Sequence, residues 1–394
     1  MLMDVDQVQD AGSVDRLMNE LLSSARKLFG MELAFISEFQ DGQRIFRYVD
    51  ADEGAELIQV DGADPLEESY CQRIVDGRLP ELIQDATRNP EAMTLPATLA
   101  VPVGAHLSIP IVFSSGRVYG TFCCFSRTPD MSLGTRDVAT MRFFAEVVGK
   151  VLENRQAHDA AKQAMTARLR EVIDKRLYST VFQPIFDIVE NRVVGFEALA
   201  RFQSDPYRPP NAWFDDAATV GLLEELECTM RRDALGHLPD LAPHTYLSLN
   251  VTPIAVLDRG FAQSFGSCPL NRLVLEITEH ACVDDYEKIA QALAPLRSQG
   301  ARLAVDDAGA GYASFRHILK LKPDIIKLDR SLIQHIDTSS DHRTLAAALV
   351  QFAQTVGSHV IAEGVETPEE LSALKDLGVT LVQGYLMGRP QALA

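Results

Sequence analysis

From residue 180 to residue 385 the chain alternates short runs of β-branched and aliphatic residues with longer stretches of helical periodicity. The strand-like runs are residues 180–188, 193–201, 246–252, 273–279, 302–307, 325–329, 359–363 and 381–385. Helical patterns such as residues 286–298 and 342–356 fall between most of them. Parallel strands need a crossover, and a helix is the usual one, so eight such units predict a (β/α)8, TIM-type barrel. The link between the first two strands is too short for a helix. That predicts an antiparallel pair and a modified barrel.

A barrel of this size leaves much of a 394-residue chain to other domains. Residues 14–29 carry Leu17, Leu21, Leu22, Ala25 and Leu28 at helix spacing. Strand-like runs follow at 32–39, 44–49, 106–113 and 119–125, the last two joined by the turn Ser114-Ser115-Gly116-Arg117. Residues 67–76 read as a short helix ahead of a Pro-rich stretch, and the whole predicts an α+β, sensor-like domain. Residues 136–175 contain no Pro and place Met141, Phe144, Val148, Val151, Met165, Leu169 and Val172 near heptad spacing around a polar middle. They predict one long connecting helix or two in tandem, either a dimer seam or a helix docked on its own domain. The expected layout is a sensor over 14–155, a connecting helix over 136–175 that overlaps its end, and a barrel over 165–394.

Charge and cysteine usage narrow the function. Thirty-seven Lys plus Arg against 55 Asp plus Glu give a net charge of −18, a field that repels nucleic-acid polymers and anionic lipid. A phosphorylated ligand would need metal ions or a local basic patch. Six cysteines with no CxxC pair argue against zinc sites and a disulfide framework. Three Asp within residues 1–10 are unlike a signal peptide, and no run approaches the ~20 apolar residues of a membrane span, so a cytoplasmic protein is expected.

Polar residues crowd the carboxyl ends of the barrel strands: Gln183, Glu197, Arg201, Asn250, Glu276, Glu279, Asp306, Asp307, Lys327, Glu363, Glu366 and Gln383. Barrel chemistry sits at that end because its loops are free to hold substrate while the strands fix the side chains. Glu197 within Gly-Phe-Glu-Ala-Leu-Ala and Glu276 within Leu-Val-Leu-Glu-Ile-Thr lie in apolar runs, and an unpaired buried carboxylate is expensive. Carboxylates with an Asn carbonyl are the ligand set of Mg2+ or Mn2+, whereas Zn2+ usually takes His or Cys. Asp306 and Asp307 could serve two metals and clamp a phosphoryl displacement, with Lys327 orienting the water and Glu363 taking its proton. The alternative is a rim of Arg–carboxylate pairs, but only Arg201 and Lys327 are on hand for six or more acids.

These residues resemble the EAL-domain cyclic di-GMP phosphodiesterases. Glu197-Ala198-Leu199-Ala200-Arg201 is similar to the family signature, and Phe-Gln183-Pro, Leu-Asn250-Val, Glu276-Ile-Thr-Glu279, Asp306-Asp307-Ala-Gly-Ala-Gly-Tyr312, Ile-Lys327-Leu-Asp329, Ala-Glu363-Gly-Val-Glu366 and Gln383-Gly-Tyr385 follow in its order. The resemblance implies hydrolysis of cyclic di-GMP to linear pGpG by a Mg2+- or Mn2+-dependent, dimeric enzyme. It implies one metal on Glu197, Asn250, Glu276 and Asp306, and a second on Asp306, Asp307 and Glu363. Glu363 would be the general base and Lys327 would orient the water. Gln183, Leu199, Arg201 and Gln383 would contact substrate, and Glu279 and Glu366 would brace loops. The family's usual aromatic, Thr and Ser are Ala308, Ala310 and Ala313 here, and Trp213-Phe214-Asp215-Asp216-Ala217 replaces its common Phe-Ile-Pro form. No metal ligand is lost, so an enzyme is expected over a receptor that binds without turnover. A barrel hydrolase for another phosphodiester stays open at this point.

The amino-terminal segment is similar to a GAF domain through His106-Leu-Ser-Ile-Pro110 and Gly120-Thr-Phe-Cys123-Cys124. That implies a regulatory domain of unknown ligand. Cys71 is followed by Gln72, not the His of bilin-attachment sites, and reads as core rather than as an attachment point. His106 reads as a histidine satisfied at a strand start rather than a haem ligand. Cys123 and Cys124, adjacent on a strand, point to opposite faces, which disfavours a disulfide between them.

Overall fold

The computed structural model describes residues 11–55, 57–277, 285–308 and 313–393. They fall into two compact units, Met1–Ala161 and Lys162–Ala394.

The first unit opens with α1 (Ala11–Phe29), followed by β1 (Leu33–Gln40), β2 (Gln43–Ala51) and β3 (Ala63–Pro65). Then come α2 (Tyr70–Val75), β4 (Leu82–Ile83), α3 (Pro96–Ala100), β5 (Ala105–Val112) and β6 (Val118–Ser126). The strands form one antiparallel sheet in the order β3-β2-β1-β6-β5-β4. Its two-residue alternation feeds two cores. Ala34, Ile36, Leu107, Phe122 and Cys124 pack with α1, while Leu33, Phe35, Phe46, Cys123 and Phe125 pack with Tyr70, Cys71 and Ile74 of α2. The α1 stripe that meets the sheet is Val14, Met18, Leu22, Ala25 and Phe29, and Leu28, expected on the apolar face, is 61% exposed. Both stripes have helical spacing, and the larger Met18 and Phe29 side chains take the buried one.

The connecting segment is a single 41-residue helix, α4 (Thr135–Lys175). Its heptad residues pack into cores of this chain. Met141, Val148 and Val151 are buried in the first unit, and Leu169 and Val172 in the second beside Phe202, Trp213 and Leu226.

In the second unit β7 (Tyr178–Asp187), β8 (Arg192–Phe202), β9 (Tyr246–Asn250), β10 (Leu273–Ile277), β11 (Arg302–Ala308), β12 (Ile325–Leu328), β13 (His359–Ala362) and β14 (Leu381–Gln383) close into a barrel. Helices α5 (Pro210–Val220), α6 (Leu223–Gly236), α7 (Pro253–Val256), α8 (Tyr286–Ser298), α9 (Ala313–Leu321), α10 (Arg330–Ile333), α11 (Ser340–Val356) and α12 (Pro368–Asp376) lie between the strands in sequence. β7 runs antiparallel to both β8 and β14, and every other neighbouring pair is parallel. The barrel is therefore of the modified type expected. Among the described residues, no helix is long and apolar enough to cross a membrane.

Candidate active site

One layer of the barrel interior is apolar, built from Ile185, Tyr246, Val274, Ala304, Ile325 and Ile361. Strand side chains repeat their direction every second residue, so the next position along each parallel strand faces the same interior. Those positions are Ser248, Glu276, Asp306, Lys327 and Glu363, with Asn250 one step further along β9. β7 runs the other way, so its matching side chain, Gln183, lies two residues before Ile185 rather than after it. One geometric rule collects groups that are up to 180 residues apart in sequence.

Lys327, fully buried, is the hub. Its Nζ lies 2.6 Å from Glu363 Oε1, 2.8 Å from Glu276 Oε2, 3.1 Å from Asp306 Oδ1 and 3.6 Å from Glu197 Oε2. Glu197 also accepts from Asn250 Nδ2 (3.0 Å) and Gln383 Nε2 (2.6 Å). Gln383 Nε2 also reaches Gln183 Oε1 (3.2 Å), and Gln183 Nε2 donates to the Gly388 carbonyl (3.3 Å). The Arg201 guanidinium donates to the Ala200 carbonyl (2.8 Å), and Leu199 is half-buried. Glu366 pairs with Arg330 (2.9 Å) in the loop after β13. Glu279 lies outside the described residues, as do Ala310 and Tyr312.

Four carboxyl groups surround one ammonium, and the surroundings act differently on three of them. Burial holds the Glu276 carboxyl up at about 8 despite Lys327. Burial, then the Asp306 charge, pushes Glu363 well above the usual carboxylate range. Burial works against Glu197 too, but Lys327 and the amides of Gln383 and Asn250 outweigh it and lower its pKa. Lys327 is disfavoured by burial, and the four acids more than compensate, raising its pKa.

Asp306 and Asp307 are neighbours on a strand and would ordinarily point to opposite faces. Here Asp307 has φ +55°, and the β11–β12 register breaks between Val305 and Ala308. The left-handed turn brings both carboxylates to the mouth at a cost of order 1 kcal/mol, strain typical of functional sites. The oxygens of Asp306, Asp307 and Glu363 then lie within 4.8 Å of one another, as do those of Glu197, Glu276 and Asp306. Glu363 Oε1 is buried and, although ion-paired with Lys327, has no hydrogen-bond partner.

Two participants escape the motif reading. Ser248 is fully buried and donates its hydroxyl to Glu276 Oε1. The alternation Leu-Ser-Leu-Asn, with Asn250 already assigned, carried that signal. Glu227 of α6 accepts from the Thr252 amide (3.3 Å) and hydroxyl (3.2 Å), fixing the loop beyond Asn250. Nothing local in the sequence marks it, since the contact spans two elements.

Fold and site define a class: barrel proteins with a carboxylate-rich mouth suited to divalent cations. The EAL domain model matches residues 166–390 and the GAF domain model residues 11–153. The chain belongs to the EAL-domain family, with a GAF domain ahead of the barrel. It is 31% identical over 249 residues to cyclic di-GMP phosphodiesterase NbdA of Pseudomonas aeruginosa, covering 58% of this chain and 31% of that protein. It is 28% identical over 255 residues to cyclic di-GMP phosphodiesterase RocR of the same organism, covering 60% of this chain and 65% of the relative. The chain spans about a third of the length of several curated relatives that it matches. Among solved structures, the PaMucR phosphodiesterase–c-di-GMP complex aligns with a TM-score of 0.53 at 25% identity, over 58% of this chain and 97% of that one. The EAL enzyme Bd1971, bound to cAMP and cyclic di-GMP, aligns with a TM-score of 0.56 over 92% of this chain and 91% of that one. At 17% identity it supports the fold alone.

Proposed function

We propose that the barrel hydrolyses cyclic di-GMP to linear pGpG with Mg2+ or Mn2+, and that the GAF domain regulates it. The observation that carries this reading is the excess of buried carboxylate at the mouth around the single Lys327 cation. The donor set fits hard divalent ions: all-oxygen, anionic, and grouped as two overlapping triads that share Asp306. Glu197, Asn250, Glu276 and Asp306 would hold one ion, and Asp306, Asp307 and Glu363 the other. When bound, such ions neutralise the phosphodiester and lower the pKa of water at the site.

The chain's own groups do the rest. Lys327 orients the attacking water from its position between Glu276 and Glu363. Glu363, in its carboxylate form, accepts the water proton, and the burial that raises its proton affinity makes it the stronger base. Water adds at one phosphorus, the P–O3′ bond breaks, and the 3′-oxygen leaves with a proton, opening the ring. Gln183, Leu199, Arg201 and Gln383 line the substrate side, and Glu366 holds the loop after β13 through Arg330. Glu279 would brace the loop after β10. The proposed layout is a GAF domain over 14–155, a connecting helix over 136–175, a barrel over 165–394, and a cytoplasmic homodimer.

The test is incubation of purified protein with cyclic di-GMP and Mg2+, Mn2+ or Ca2+. The reading expects pGpG with Mg2+ or Mn2+, and none from Glu197→Ala or Glu363→Ala. Binding in Ca2+ without product in any metal would make the barrel a receptor instead.

A further inference from the structure

Inside the first unit, and independent of the barrel reading, the sulfur atoms of Cys71 and Cys123 lie 3.5 Å apart although 52 residues separate them in sequence. Cys71 sits on α2, in the layer of short elements over the sheet, and Cys123 on β6 within it. Arg44 of β2 aims Nη1 at the Cys71 sulfur (3.2 Å) while its Nε holds Asp64 (2.9 Å). The Cys123 sulfur meets the hydroxyls of Ser108 (2.9 Å) and Thr121 (3.1 Å).

The surroundings divide the pair chemically. Burial opposes a Cys71 thiolate, but the Cys123 hydrogen bond and the Arg44 charge outweigh it and hold the thiol down at about 6. Burial, then the Cys71 sulfur, pushes Cys123 well up. One sulfur is thus suited to attack and the other to resolve, the arrangement that reversible thiol chemistry uses. Cys124 is the internal control: it is next in sequence, equally buried, on the opposite face, and burial pushes its thiol far up.

We propose that Cys71 and Cys123 form a reversible thiol–disulfide pair oxidised by a water-sized hydroperoxide. The Cys71 thiolate attacks one peroxide oxygen, the O–O bond breaks, and the sulfur becomes a sulfenic acid while the departing hydroxide takes up a proton. Cys123 then attacks that sulfur, its proton leaves with the sulfenic oxygen as water, and the S–S bond forms. Two thiols supply two electrons to one peroxide, and two waters result. Bond formation needs the sulfurs to close from 3.5 Å to about 2 Å. The layer carrying Cys71 is built from α2, six residues, and α3, five residues, and such short elements open locally more easily than the sheet. Both sulfurs are fully buried, so an oxidant reaches them only through local opening, which favours hydrogen peroxide over a tripeptide disulfide. Oxidation would staple this layer to β6.

The experiment exposes the reduced full-length chain to hydrogen peroxide, quenches with acid, and alkylates the remaining thiols after unfolding. The proposal expects two of the six thiols to escape alkylation, the mass to fall by two hydrogens, and peptide mapping to join Cys71 to Cys123. Dithiothreitol should restore both thiols, Cys124→Ser should leave the yield unchanged, and Cys123→Ser should leave a Cys71 sulfenic acid that dimedone traps. Oxidised glutathione should leave both cysteines free. All six thiols still open to alkylation, or a disulfide joining other cysteines, would overturn the proposal whether or not any variant folds. A glutathione adduct on Cys71 would overturn its restriction to small oxidants.

Discussion

At the scale of single residues, Lys327 is one cation shared by Glu197, Glu276, Asp306 and Glu363. Removing one partner of a buried ionic network leaves charge uncompensated, at about 3–5 kcal/mol. Lys327→Ala should lower stability by an amount of that order and cut turnover by about 10²-fold or more, read by thermal unfolding and by pGpG production. Mg2+ should raise the variant's unfolding temperature more than the wild type's, because an added cation takes over part of the lost compensation. Ser248→Ala removes the hydroxyl that orients Glu276, and outer-shell losses of this kind cost about 10–100-fold in metal affinity. A Mn2+ titration checks it. Glu227 provides a pH test, since burial lifts its carboxyl from 4.5 to about 7. Between those values the folded state holds a proton that the unfolded state has released. Stability is therefore greatest below the lower value and falls as pH rises through the higher one. Glu227→Gln should match the wild type near pH 5 and exceed it by pH 8, by an amount on the order of 3 kcal/mol, measured by denaturant unfolding at both pH values. The acids of the mouth were legible as strand-end motifs. Ser248 was legible only through period two, and Glu227 not at all, because its role is made by α6 crossing to the loop after β9.

At the scale of elements, the loops after β13 and β14 lock together through backbone. The Val365 amide donates to the Gln383 carbonyl (3.1 Å), and the Leu386 amide donates to the Val365 carbonyl (3.1 Å). A Cβ on Gly384 would stand 2.1 Å from the Val365 oxygen, an overlap that only backbone movement relieves. Gly384→Ala should cost about 1–3 kcal/mol in thermal unfolding and displace the neighbouring Gln383. The eight barrel strands were legible because hydrophobic runs with helical intervals leave few topologies. β3 and β4, three and two residues long, show no periodicity and are created by pairing with β2 and β5. On α1 only Leu28 was misplaced, for a related reason: Leu28 and Phe29 both fit a helical stripe with Leu22 and Ala25, and only contact with the sheet decides between them.

At the scale of the whole molecule, the second unit includes the last turns of α4. Leu169, Val172 and Ile173 cover Trp213 and Leu226, and Arg168 bridges to Asp216 (2.5 Å), which Arg208 also holds (2.5 Å). A barrel beginning at residue 162 should fold cooperatively, whereas one beginning at 177 should lose several kcal/mol through that uncovered face and bind hydrophobic dye. Manganese soaked into crystals of the protein tests the central claim most directly, through anomalous scattering. The account predicts density between Glu197, Glu276 and Asp306, with a second peak beside Asp306, Asp307 and Glu363. Saturating Mn2+ with no anomalous signal at either position, and Lys327 still paired to all four carboxylates, would contradict it.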